Sequence, residues 1–254
     1  MNYNINSRDL YNNQAGNWSR KEPILLSDYS ARPFLLDLCE PIKGSKVLDL
    51  GCGEGYVGRE LKKRGADRVL GVDISEKMID GAIFEKEQQD IEGLEYQAMD
   101  VMNLNLTDQF DLIIAIFLFN YLSKENTIET MKKVFQLLEP GGKFIFSVPH
   151  PLLPFLKKDK YPFYFTVNGG YFSGRDQLFP GEIWRRDGIP VNVQCVHKTI
   201  EDYFCCLKMA SFASMPELYE LKINEDHIKL DPEFFKPLRE LPLHMAFKVK
   251  KNNE

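Results

Sequence analysis

Lys46-Val-Leu-Asp-Leu-Gly51-Cys-Gly53-Glu-Gly55-Tyr56 is the stretch on which the reading of the chain turns. A short apolar run holding Asp49 predicts a buried strand. The glycines at 51, 53 and 55 predict a loop that turns sharply and leaves its backbone open to a ligand. Tyr56 to Arg64 has helical spacing and ends at Gly65, a natural C-terminal cap. Strand, glycine loop and helix in that order aim backbone amides and a partial positive charge at whatever sits over the loop. The next apolar run, Arg68-Val-Leu-Gly-Val-Asp73, ends in a carboxylate placed to accept from two ribose hydroxyls. A dinucleotide loop has the same parts but needs glycine or alanine at its sixth position, and counted from Gly51 that position is Tyr56. Asp49 would repel a pyrophosphate and suits a cationic or ammonium-bearing ligand.

Working outward, strand and helix signals alternate. Ser75 caps a helix carrying Met78, Ile79, Ala82 and Ile83 at helical spacing. Leu94 to Ala98 reads as a third strand, and Phe110 to Phe117 as a fourth that is covered on both faces. Glu125 to Leu138 is a helix, Pro140-Gly-Gly142 a tight turn, and Lys143 to Val148 a fifth strand. Thr199 and Asp202 loosely match a capping box for a helix ending near Ala210. Leu218 to Ile223 and His244 to Lys250 supply two more strands, and Pro33 to Cys39 a short helix upstream. The class is α/β: a doubly wound, mostly parallel, seven-stranded sheet. Four segments follow: an N-terminal helical cap (1–43), a ligand-binding core (44–150), an aromatic insertion after the fifth strand (151–198) and a C-terminal part completing the sheet (199–254). The insertion holds Phe155, Tyr161, Phe163, Tyr164, Phe165, Tyr171, Phe172, Phe179 and Trp184, which is not linker composition. It is either a small satellite core or a lid over a substrate pocket.

Composition narrows the partners. The chain has 254 residues, of which 44% are hydrophobic and 27% charged, enough for a sizeable core. With 32 basic against 37 acidic residues the net charge is −5, which disfavours nucleic acid. Five cysteines, an odd number without a C-x-x-C pair, suggest neither a disulfide framework nor a zinc ribbon and fit a reducing cytosol. The N-terminus lacks an apolar signal segment, and the apolar run from Leu112 to Phe119 is too short to span a bilayer. A soluble, cytoplasmic protein is expected, without a membrane partner; monomer and homodimer both remain open.

Five stretches in register resemble the class I S-adenosylmethionine-dependent methyltransferases, in particular the small-molecule enzymes of the type 11 and type 25 branches. They are VLDLGCGEGY, GVDIS with Met78, Asp100 in Ala98-Met-Asp-Val, FDLIIAIFLFNYL and LLEPGGKFIFSV, together covering about Gly44 to Val148. The resemblance implies a Rossmann-like methyltransferase fold with S-adenosylmethionine as cofactor, S-adenosylhomocysteine as product, and no metal. It implies that Gly51, Cys52, Gly53 and Tyr56 line the cofactor and that Asp49 supports its amino group. Asp73 would bind the ribose, Ile74 and Met78 the adenine face, and Asp100 with Val101 the adenine edge. Ala115 to Phe117 would lie under the methionine chain, Phe117 included.

Beyond the core, Ser147-Val-Pro-His150-Pro and His197-Lys-Thr-Ile-Glu-Asp-Tyr203 also resemble small-molecule methyltransferases. His150 is the expected catalytic base or orienting group; the alternative is a histidine fixing a loop between prolines. Tyr11, Asn120, Tyr121, Tyr171, Trp184 and His197 are the expected substrate contacts. Tyr11 and Trp18 could close over the cofactor with Arg20, whose guanidinium could pair with the cofactor carboxylate; the alternative for each is a solvated surface helix. The [Asp/Asn/Ser]-Pro-Pro-aromatic signature is absent after the fourth strand, where Ala115-Ile-Phe-Leu-Phe-Asn120 stands. The implied reaction is methyl transfer to an O or N atom of a small organic acceptor. The alternatives are a nucleic-acid or protein methyltransferase, and a non-catalytic cofactor-binding module that regulates a partner.

Overall fold

The architecture was obtained as a computed structural model that describes residues 6–18, 22–156 and 160–252. Three helices lead in: α1 (Ser7–Trp18), α2 (Leu26–Ser30) and α3 (Arg32–Leu38). The core then alternates β1 (Lys46–Leu50), α4 (Tyr56–Lys63), β2 (Arg68–Asp73), α5 (Glu76–Gln88), β3 (Leu94–Ala98), β4 (Phe110–Ile116), α6 (Lys124–Leu137) and β5 (Leu138–Pro149). The insertion supplies β6 (Phe163–Phe165), β7 (Leu178–Trp184) and β8 (Pro190–Val196). The chain closes with α7 (Ile200–Met209), β9 (Glu217–Leu221), α8 (Glu225–Leu230), α9 (Pro232–Phe235) and β10 (His244–Lys250).

The main sheet has seven strands in the order β3-β2-β1-β4-β5-β10-β9. All pair in parallel from β3 to β5, and β10 runs antiparallel to both β5 and β9. Successive residues of the buried strands point to opposite faces. Leu48, Ile113, Phe144, Phe146 and Phe247 therefore join α6 and α7 in one core, while Val47, Leu112, Ile114 and Ala246 join α3 and α4 in another. Covered on both sides, these strands read as continuous apolar runs. Strand order reverses between β2 and β4 around β1, which opens a crevice at the carboxyl edge above Asp49 and the glycine loop.

Two elements differ from the sequence reading. β5 begins at Leu138, ahead of the expected Lys143, and carries the glycine turn within it. There the Gly141 amide donates to Lys251 and the Lys251 amide donates to Gly142, so the end of β10 pairs across the turn. The insertion is a separate antiparallel sheet, β6-β7-β8. Its Phe163 joins Leu153, Ile223, Phe235, Leu238 and Leu243 in a third apolar cluster, partly built by α9 and the turn after it, which sequence patterning missed. Those helical pieces are too short to show a helical period.

Candidate functional site

The glycine loop is held open by bonds to its neighbours. The Gly51 and Cys52 amides both donate to the Val72 carbonyl. The Gly53 amide donates to Asp73 Oδ2 at 2.9 Å, and the Ser75 amide to Asp73 Oδ1 at 2.9 Å. Burial pushes the Asp73 carboxyl up and these amides draw it back down. Gly55 sits at φ +78°, and a Cβ there would lie 2.2 Å from the Tyr96 hydroxyl, which donates to the Gly55 carbonyl. Gly53, at φ +56°, faces open space: a Cβ would meet nothing within 4 Å. The loop is thus packed on its inner side and bare on its outer side, as a ligand cradle requires.

Above it lies a cavity of about 570 Å³. Its floor is the carboxyl edge of the sheet: Asp49, Gly51, Cys52, Gly53, Tyr56, Asp73, Ile74, Met78, Asp100 and Val101 all line it. Asp49 is almost fully buried, and its Oδ2 has no hydrogen-bond partner. Burial and the nearby Asp73 raise its carboxyl to about 7, against the pull of Arg32. Such an orphaned carboxylate is costly unless a cationic donor meets it. Asp100 Oδ1 accepts from the Met102 amide and so caps the 3-10 turn Val101–Asn103.

The walls come from far along the chain. Tyr11 and Trp18 of α1 line the cavity, with ring centroids 5.4 Å apart, and the Tyr11 hydroxyl donates to the Tyr121 hydroxyl. Helix α1 is tied to both ends of the site. Asn12 Oδ1 accepts from Ser75 Oγ at 2.6 Å, and Gln14 exchanges hydrogen bonds with the Asn192 backbone on β8. Asn120, Tyr121, Phe117, Trp184, Phe163, Phe165 and Ile183 complete the lining, with Arg32 and His244. Phe117 holds φ at +59°, a left-handed backbone that aromatic residues seldom adopt.

Four sequence-derived placements do not reach the cavity. His150 is buried, but Nδ1 accepts from the Leu152 amide within its own loop and Nε2 lies 3.1 Å from Glu220 Oε1 on β9, so both nitrogens are engaged. The histidine that lines the cavity is His244. Register explains the exchange: β10 starts opposite the end of β5, pairing His244 with Pro149, and both line the cavity. His197 Nε2 contacts the Tyr171 carbonyl at 2.8 Å, and its ring stacks on Phe179 and abuts Phe155. Tyr171 and His197 therefore build a satellite aromatic core and do not face the substrate side. Ala115 is fully buried in the core, one residue short of the lining. Arg20 lies outside the described residues. Sequence reasoning missed Arg32, Met102 and His244; for His244 the signal was its place at the start of a strand that had to return antiparallel beside the fifth.

Residues 47–142 match the family described as methyltransferase domain. A ubiquinone biosynthesis O-methyltransferase of Coxiella burnetii is 39% identical over 107 residues, covering 42% of this chain and 44% of that protein. An uncharacterized protein of Haemophilus influenzae is 34% identical over 139 residues, 52% of this chain and 53% of its own length. Among solved structures, an S-adenosylmethionine dependent methyltransferase from Mesorhizobium loti shares the fold with TM-score 0.65 and 24% identity, over 86% of this chain and 96% of that one. These likenesses are to a methyltransferase domain over residues 47–142 and, for most of the chain, to the fold of S-adenosylmethionine-dependent methyltransferases. It spans about half the length of the curated relatives it matches.

A cofactor of the kind used by the matched methyltransferases carries an ammonium, a ribose and an adenine, and the residues lining this cavity suit such a ligand. The orphaned Asp49 Oδ2 answers an ammonium. Asp73, with each oxygen already holding one amide, keeps lone pairs for ribose hydroxyls. Ile74 and Met78 offer an apolar face beside Asp100. Among the described residues there is no group of three His, Cys, Asp or Glu side chains able to hold a metal, and no helix long and apolar enough to cross a membrane.

Proposed function

We propose that the chain is an S-adenosylmethionine-dependent methyltransferase acting on an O or N atom of a small organic acceptor. The observation that carries this reading is the buried Asp49 carboxylate, its Oδ2 without a partner, in a cavity whose other walls are largely apolar. When bound, S-adenosylmethionine supplies an electrophilic methyl group on its sulfonium. Asp49, Asp73 and Asp100 would hold the amino, ribose and adenine parts. Arg32, whose charge reaches Asp49 and which lines the cavity, is a second candidate beside Arg20 for the cofactor carboxylate. Phe117, Tyr121 and Trp184 would fix the acceptor and exclude water, which is most of what an in-line displacement asks of a protein. The O-methyltransferase relative supports an oxygen nucleophile, and the aromatic wall and acidic charge support a small acceptor over nucleic acid.

The test is transfer of radiolabelled methyl from the cofactor to a fractionated extract. Label in the small-molecule fraction is expected. Label in bulk tRNA or protein would overturn the acceptor class. Binding of S-adenosylmethionine without transfer to any fraction would favour a regulatory module.

A further inference from the structure

The side chain of His244 enters the cavity at the carboxyl edge of the sheet, opposite Pro149, and is 7% exposed. Its tautomer is coupled to its neighbour. Ser30 has one hydroxyl proton, which it donates to the Leu26 carbonyl at 2.9 Å. Ser30 Oγ also lies 3.0 Å from His244 Nδ1. The i−4 carbonyl contact, the shorter of the two, takes the proton in our assignment, which leaves the oxygen to accept and places the hydrogen on Nδ1. A neutral imidazole has a single N–H, and Nε2 is then a bare acceptor. Among the described residues no group donates to it. The ring stays neutral because burial, Arg32 and His150 together hold it down to about 3.

The surroundings of the ring are largely apolar, with Arg32 the cation that acts on it. Phe117, whose backbone is left-handed, meets the ring edge-on with centroids 5.0 Å apart. Leu26, Leu153, Phe163 and Ile183 belong both to the cavity wall and to the apolar cluster around Leu243, the residue before His244. A lone acceptor on an apolar wall is a recognition device: a ligand with a matching donor gains a hydrogen bond, and one without leaves the nitrogen dry.

Resting on the methyltransferase reading above, we propose that His244 Nε2 receives the O–H or N–H of the acceptor, and that the acceptor is an uncharged aromatic hydroxyl or amine compound. A carboxylate would face a lone pair, and an ammonium would need its charge stripped of water beside Arg32. Ser30 is the positioning residue that fixes the tautomer.

Two measurements decide it. Nitrogen NMR of the imidazole should show His244 protonated at Nδ1 and bare at Nε2, with Ser30→Ala losing that preference. Calorimetry in the presence of S-adenosylhomocysteine should show 1-naphthol binding about tenfold more tightly than 1-methoxynaphthalene, which has the same rings without the donor. His244→Phe should abolish that difference while keeping S-adenosylhomocysteine affinity within about twofold. Equal binding of the two naphthalenes, binding of neither, or a bare Nδ1 in the unaltered protein would each overturn the proposal. The tautomer measurement needs no variant, so misfolding of His244→Phe leaves the proposal open to refutation. Failure of the unaltered protein to bind S-adenosylhomocysteine would count against the methyltransferase reading, with the naphthol comparison still deciding the role of His244.

Discussion

The two ends of the cavity are built in opposite ways. The acidic end comes from one stretch of chain, Asp49 to Val101, where each functional group sits at a strand end or in the loop after it. The apolar end is gathered from α1, α2, the insertion sheet and the start of β10, residues more than two hundred positions apart. The first end is dictated by local backbone geometry, the second by packing. A family can therefore keep its cofactor site through short-range pattern while the acceptor site changes with its distant walls.

The contrast is breakable. Asp73→Ala should have the largest effect, lowering S-adenosylmethionine affinity about a hundredfold by calorimetry. It removes two hydrogen bonds to a charged acceptor and frees the Gly53 amide as well. Unchanged affinity would mean the acidic end does not hold the ribose. Asp49→Asn should cost about tenfold at pH 8 and, more tellingly, flatten the pH dependence. The Asp49 carboxyl is raised to about 7 by burial and by Asp73, with Arg32 opposing. Only its ionised form attracts an ammonium, so affinity in the unaltered protein should rise from about pH 6 to about pH 8 as the proton leaves. The Asn variant should show the same affinity at both ends of that range.

Trp184→Ala addresses the other end. It should leave S-adenosylmethionine affinity within about twofold and weaken 1-naphthol about tenfold, from lost apolar contact. Loss of cofactor affinity instead would show that the two ends are not separable. The smallest effect should be that of His150→Ala: cofactor affinity unchanged and thermal stability reduced by about 1 kcal/mol, the loss of hydrogen bonds to Leu152 and Glu220. A large drop in turnover at equal stability would restore His150 to the chemistry.

The histidines show where sequence stops being sufficient. His150 follows a strand end at the carboxyl edge, which is where ligands of such sheets bind, yet its nitrogens are taken by Leu152 and Glu220. His197 lies in a motif-like stretch but stacks within an aromatic satellite. Which way a side chain points past a strand end depends on the neighbouring strand, and no linear spacing encodes that. The insertion is a similar case. Its aromatic content announced an ordered unit, and the structure shows one part, around Phe179 and His197, forming its own core while Phe163, Phe165 and Trp184 turn to the cavity.

By itself, the sequence determined the doubly wound sheet, the glycine loop and the carboxylates at 49, 73 and 100, because strand, turn and helix preferences act over a few residues and place those groups relative to one another. Only the tertiary structure decided that His244, and not His150, faces the cavity. That outcome depends on the antiparallel register of β10 against β5 and on a hydroxyl of α2, contacts between segments far apart in the chain.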